Sequence, residues 1–173
     1  MPSRLLRLVT LLALAAVLPA SGCGGDDDSG SADAEQPTDT AADARKALED
    51  TSVKPLIERP SGSPPRRLEK EDIVKGKGRR AKPGDRITVE YVGVSFSTGE
   101  EFEASWGRGQ PVSFPLGAGE VIPGWDRGIV GMREGGRRRL TIPPEQAYGA
   151  EGYPPDIAPN ETLVFVVDLV EVR

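Results

Sequence analysis

In a chain broken up throughout by glycine and proline, 21 and 16 of its 173 residues, one stretch reads as a helix, and whatever folds must be arranged around it. That stretch is Gly119-Glu120-Val121-Ile122-Pro123-Gly124-Trp125-Asp126-Arg127-Gly128-Ile129-Val130-Gly131-Met132. Pro123 falls in a first helical turn, where its missing N–H would be unpaired in any case, and Gly131 reads as the stop. Trp125, Ile129 and Met132 recur at spacings of four and three, so an indole and two aliphatic side chains share one side of the helix. A side this apolar must be covered by a sheet. Val121 and Ile122 stand just before the first turn, where backbone N–H groups are not consumed by helical hydrogen bonds. An N–H there is free to meet a ligand carbonyl.

The flanking sequence supplies the sheet. Leu68 to Val74 alternates loosely and reads as a strand. Arg86 to Ser95 sets Ile87, Val89 and Tyr91 on one face against Arg86, Thr88 and Glu90 on the other, the pattern of a half-buried strand. Thr98-Gly99 turns the chain into Glu101-Phe102-Glu103-Ala104, and Pro111 to Gly117 is an edge-like segment. Arg137 to Ile142 reads as a strand whose three arginines form a solvated face, since neighbours on a strand point to opposite sides and no aromatics are interleaved. A proline-rich loop, 143–159, carries Tyr148, Tyr153 and Ile157, and Thr162 to Val172 is apolar enough for the middle of a sheet. The pattern predicts an α+β fold, an antiparallel sheet of about five strands curved around one short α-helix. Gly76-Lys77-Gly78-Arg79-Arg80-Ala81 formally matches a dinucleotide-binding glycine pattern, but Lys82-Pro83-Gly84-Asp85 is turn chemistry and no helix follows.

Charge is unevenly placed along the N-terminal third. Residues 1–23 carry +2, residues 24–53 carry −7, and residues 54–173 balance, so the net −5 belongs to the second segment and points to no nucleic-acid partner. Residues 1–22 read as a secretory signal peptide: a short basic start with Arg4 and Arg7, then the apolar run Leu8 to Ala20, too short to span a bilayer. Ala20-Ser21-Gly22-Cys23 resembles a bacterial lipobox, with Ala20 in place of the usual larger aliphatic residue. That resemblance implies a diacylglycerol thioether at Cys23 and a chain anchored to the outer face of the bacterial cell membrane. Residues 23–65 then read as the lipidated cysteine and a disordered acidic tether, with a turn or two of helix between Ala41 and Asp50. A coil of that length has an r.m.s. reach of about 35 to 40 Å. The folded domain is expected over 66–173.

No histidine occurs, which removes His-based triads, and the single cysteine excludes an intramolecular disulfide. The chemistry left is that of an apolar slot. Val89-Glu90-Tyr91-Val92-Gly93, Gly99-Glu100-Glu101-Phe102, the run from Gly119 to Trp125, Gly131-Met132, Ala147-Tyr148-Gly149 and Thr162-Leu163-Val164-Phe165 together resemble the FKBP family of peptidyl-prolyl cis-trans isomerases. The resemblance implies that Tyr91, Phe102, Val121, Ile122, Trp125, Tyr148, Ile157 and Phe165 line a pocket for proline. It makes Trp125 the floor and Phe102 and Phe165 the walls, with the Ile122 N–H and Tyr148 hydroxyl as donors to substrate carbonyls. Glu103 stands where the family usually has Asp, in question as a partner of the pocket tyrosine. Val112 stands where many members have a second wall Phe, and Asp156 where an aliphatic residue is common. These departures predict surviving turnover and weak binding of macrolide inhibitors. No cofactor or metal is implied, the partners are proline-containing polypeptides and the membrane, and a monomer is expected. The alternative is a module that binds proline segments with little catalysis.

Overall fold

The computed structural model describes residues 46–173. The signal peptide over 1–22, the lipidation at Cys23 and the tether as far as residue 45 lie outside the described residues. A helical turn occupies 46–49, within the stretch expected to form one.

Six strands form one antiparallel sheet: β1 (Glu69–Val74), β2 (Arg86–Ser95), β3 (Glu101–Ala104), β4 (Val112–Pro115), β5 (Gly136–Ile142) and β6 (Leu163–Val172). Their spatial order is β1-β5-β6-β2-β3, with β4 also paired to β2. One edge of β2 runs beside β6 from Ile87 to Ser95. Its other edge is shared lengthwise, β4 taking Arg86 to Val89 and β3 taking Val92 to Val94. The sheet has a strand more than expected because the edge-like segment after Pro111 finds this free half of β2. The apolar β6 lies between β5 and β2 and is buried from Leu163 to Leu169.

Helix α1 spans Pro123–Gly128 and is closed by the Ile129 N–H donating to the Trp125 carbonyl. It is shorter than the sequence suggests: the chain continues in a turn to Gly131, which adopts a φ of +87°. Gly124 and Gly128 explain both the brevity and the closeness of the helix, since glycine favours helix poorly yet lets backbones approach. A Cβ at Gly124 would lie 2.4 Å from Ile142 Cγ2, and one at Gly128 2.8 Å from Leu140 Cδ1, so α1 is pressed onto β5. Trp125, Ile129 and Met132 enter the core with Ile87, Val89, Tyr91, Phe165 and Leu169 of the facing strands.

The opposite face of the sheet is also covered. Val92, Val94, Val164 and Val166 form a second apolar cluster with Ile57, which is buried. The far half of β2 is therefore buried on both faces, where one exposed face was expected. Its cover comes from the segment before residue 66, expected to be tether throughout, which the structure packs onto the sheet from Leu48. Arg137 holds that strap in place. Its Nε and Nη2 grip the two oxygens of Asp168 at 2.6 and 2.8 Å, Nη1 donates to the carbonyls of Leu48 and Asp50, and Nη2 to that of Val53. All the N–H groups of the guanidinium are thereby used.

The expected solvated arginine face is overturned by the same geometry. Arg137 is fully buried beneath the strap, and Arg138, pointing to the other side, is buried against the end of α1. Arg139 is partly exposed, 3.7 Å from Glu71. Alternation along β5 holds; what was missing was that both sides of the strand are covered. Each buried arginine has its carboxylate directly across the ladder, Asp168 on β6 for Arg137 and Asp72 on β1 for Arg138.

Candidate active site

Where α1 begins above the sheet, the fold leaves a cavity of about 480 Å³, lined by Tyr91, Glu103, Val112, Gly119, Glu120, Val121, Ile122, Trp125, Tyr148 and Phe165. Its base is aromatic. Trp125 meets Tyr91 edge-on, with ring centroids 4.9 Å apart, and meets Phe165 edge-on at 5.3 Å, while Phe114 supports the indole at 5.8 Å. Edge-to-face contacts of this kind hold rings in defined orientations. Phe102 stands against Phe165 at 5.6 Å with the planes perpendicular. Gly93, directly across the ladder from Phe165, makes that arrangement possible: a Cβ there would lie 2.7 Å from both Phe102 Cζ and Phe165 Cε1.

The backbone before α1 supplies the polar element. Ile122 has extended backbone, φ −56° and ψ 144°, with no side-chain cap. Its carbonyl accepts from Trp125 N at 2.9 Å, yet its own N–H has no hydrogen-bond partner among the described residues. Asp126 fixes the approach to this point: its two carboxylate oxygens accept from the N–H groups of Gly117 and Gly119 at 2.8 and 2.9 Å. On the far side, the Tyr91 N–H donates to Ser105 Oγ, whose hydroxyl donates to Glu90.

Burial, and after it the neighbouring Glu103 carboxylate, pushes the Tyr91 phenol well above its ordinary value. Burial and the charges of Glu103 and Tyr153 push Tyr148 the same way. Both remain hydroxyl donors at neutral pH. The Glu103 carboxylate neighbours the Tyr91 phenol, as expected of a partner of the pocket tyrosine, and also lies 3.5 Å from the Arg108 guanidinium. Among the described residues, no lysine or arginine lines the cavity. The arrangement can desolvate a small apolar ring and offer an N–H and a hydroxyl to flanking carbonyls.

Of the residues expected at the pocket, Tyr91, Glu103, Val121, Ile122, Trp125, Tyr148 and Phe165 line one cavity. Phe102 and Ile157 do not. Phe102 makes its edge-on contact with Phe165, and Ile157 is buried in the core and paired through its backbone with Tyr153. Gly119 and Glu120 belong to the cavity and were not foreseen. Their signal is position alone, in the non-helical run before Pro123. The positioning role of Gly93 had no local signature, because the rings it makes room for come from other strands, whereas Asp126 holds Gly117 and Gly119 just before it in the chain.

Comparison with known proteins follows this geometry. The family model for FKBP-type peptidyl-prolyl cis-trans isomerase matches residues 77–170. An FK506-binding protein of Streptomyces anulatus is 56% identical over 120 residues, covering 69% of this chain and 97% of that protein. Peptidyl-prolyl cis-trans isomerase FPR2 of Saccharomyces cerevisiae is 47% identical over 94 residues, 54% of this chain and 70% of its own. Among solved structures, the crystal structure of AtFKBP13 superposes with a TM-score of 0.57 at 38% identity, covering 61% of this chain and 93% of that one. With the motifs in order, the aromatic cavity in place and the family match across the sheet, the chain belongs to the FKBP-type peptidyl-prolyl cis-trans isomerases.

Proposed function

We propose that this isomerase works outside the cell membrane as a lipoprotein, and that it turns over Xaa-Pro bonds in the cavity between α1 and the sheet. The observation that carries the second part is the unpaired Ile122 N–H at the edge of an aromatic-floored cavity. Rotation about a peptide bond is opposed by about 18–20 kcal/mol of amide resonance, which water hydrogen-bonded to the carbonyl reinforces. The prolyl ring rests on Trp125, between Tyr91 and Phe165, and its amide is stripped of water. The planar, polar ground state loses its solvation there, whereas the twisted, less polar transition state loses little. The Ile122 N–H and Tyr148 hydroxyl hold the flanking carbonyls. Differential binding of about 1.4 kcal/mol already gives tenfold. Val112, 38% exposed on the cavity wall, leaves that side open, which supports weak macrolide binding.

The outer-face location rests on the basic and apolar start of the chain and on the small residues before Cys23. Cys23→Ser is expected to release the protein from the membrane fraction; retention of the variant there would remove the lipid anchor. For the pocket, the isomerisation rate of short Xaa-Pro peptides is expected to fall about tenfold or more in Trp125→Ala and by a smaller factor in Tyr148→Phe. Unchanged rates in a folded Trp125→Ala would exclude the cavity as the place of turnover.

A further inference from the structure

A second cavity, of about 500 Å³, sharing no lining residue with the prolyl pocket, lies where β1 ends beside the turn after α1. Its lining includes Lys75, Arg80, Arg133 and Arg138, with Asp72 as its one carboxylate. Asp72 is already committed to Arg138 at 2.6 Å. Arg138 is 8% exposed: Nε is taken by Asp72 and Nη1 by the carbonyls of Gly128 and Val130, at 2.7 and 3.2 Å, while Nη2 has no partner among the described residues. Arg80 and Arg133 face each other across an antiparallel bridge, and neither has a carboxylate partner among the described residues. Among the described residues, the Arg133 side chain donates only to the Gly78 carbonyl. Like charges directly opposite on paired backbones repel, so an anion between the two guanidinium groups would relieve that repulsion.

The neighbouring acids do not fill that role. Asp85 receives Arg79 and the Lys82 N–H. Glu134 accepts from the N–H groups of Arg79 and Val172. Around the cavity, the turn from Lys75 to Arg86 also carries Lys77, Arg79, Lys82 and Arg86 against Asp85 alone, a local positive field in a domain whose charges balance as a whole. Gly76 is wedged between the carbonyls of Arg133 and Glu134, each 2.3 Å from where a Cβ would stand, so this turn is seated closely on the chain after α1.

We propose that this cavity is a binding site for a phosphate-bearing anion. Guanidinium forks and a lysine ammonium suit a group with three acceptor oxygens and close to two negative charges better than a carboxylate with one. The volume exceeds that of a bare phosphate, leaving room for the small polar group that carries it. Arg138 is the fixed element, held by Asp72 and the end of α1. Arg80, Arg133 and Lys75 close around the ligand from the exposed side.

The test uses the full chain. Calorimetric titration with inorganic phosphate and with glycerol 3-phosphate is expected to give saturable binding with an affinity around 1 mM or tighter, falling with added salt. Each of Arg80→Gln and Arg133→Gln, both exposed and outside the core, is expected to weaken binding about tenfold, the scale of one charge-assisted contact. Peptide isomerisation should be unchanged in both, which also certifies their folding. Flotation with vesicles of phosphatidylglycerol in phosphatidylcholine, done in the Cys23→Ser background so that no lipid anchor contributes, separates the sources. Recruitment lost in the Arg80→Gln/Arg133→Gln double variant, relative to pure phosphatidylcholine vesicles, assigns a lipid headgroup. Soluble-phosphate binding without such recruitment assigns a free phosphate compound. Absence of both, or binding indifferent to the double variant, overturns the proposal.

Discussion

Replacing Arg137 by methionine is expected to destabilise the protein severely while leaving its prolyl pocket intact. In the native structure the guanidinium is wholly buried, bonded to both Asp168 oxygens and to the carbonyls of Leu48, Asp50 and Val53. Methionine fills much of the volume but offers no donor. The Asp168 carboxylate, whose side chain is 7% exposed, is then left without its counter-charge. Breaking a buried pair by removing one partner costs about 3–5 kcal/mol, which for a domain this size lowers Tm on the order of 10–20 °C. Burial already holds the Asp168 carboxyl above the ordinary carboxylate range, and Arg137 is the chief influence opposing this. With Arg137 gone, the folded-state value rises further above the unfolded one, so the native state binds the extra proton and stability falls as pH rises between the two. The deficit of Arg137→Met relative to wild type should therefore be smaller at about pH 4 than at about pH 7. Thermal unfolding at both pH values reads this directly. Arg137→Met/Asp168→Leu should be more stable than the single variant, because no charge is orphaned, yet more readily cleaved by protease between Leu48 and Ile57, because the carbonyls of Leu48, Asp50 and Val53 lose the guanidinium that binds them. Turnover per folded molecule, measured well below Tm, should match wild type. A single variant that loses less than about 1 kcal/mol, or a double variant no better than the single, would refute the reasoning.

Gly93→Ala places a methyl 2.7 Å from the rings of Phe102 and Phe165. Overpacking of about 1–3 kcal/mol should displace the Phe165 wall and lower kcat/KM about tenfold or more with the fold retained; wild-type turnover would mean that the rings move aside freely. Ile57→Ala uncovers part of the outer sheet cluster and should cost about 2 kcal/mol or more in chemical denaturation, whereas a change below a few tenths would mean the strap is only loosely seated. The pocket tyrosines are held in the protonated form by burial, and no histidine is present, so kcat/KM should stay level from about pH 6 to about pH 9. A midpoint inside that range would place an unrecognised titrating group in the site. Val112→Phe closes the open wall of the cavity and should tighten macrolide binding in a fluorescence titration; unchanged or weaker affinity would separate Val112 from ligand recognition.

Local chemistry made much of this protein legible before any coordinates. Pro123 and the spacing of Trp125, Ile129 and Met132 marked the helix and its buried side, and alternation marked the strands, because side-chain period follows directly from backbone geometry. Candidate pocket residues came from short ordered motifs that resemble those of a family, and Tyr91, Ile122, Trp125, Tyr148 and Phe165 among them line one cavity. The same means failed for Arg137 and Arg138. Three consecutive arginines on a strand look solvated when their partners, Asp72, Asp168 and the carbonyls of 48–53, lie dozens of residues away and carry no mark of the pairing. Ile57 failed likewise, one isoleucine in a polar segment whose burial depends on an outer sheet face that exists only once β2 and β6 are side by side. Period and turn chemistry are properties of neighbours along the chain, and the sequence by itself determined them. Which charges are buried, which rings touch and which residues cover the outer sheet face depend on contacts between distant segments, and only the tertiary structure decided those.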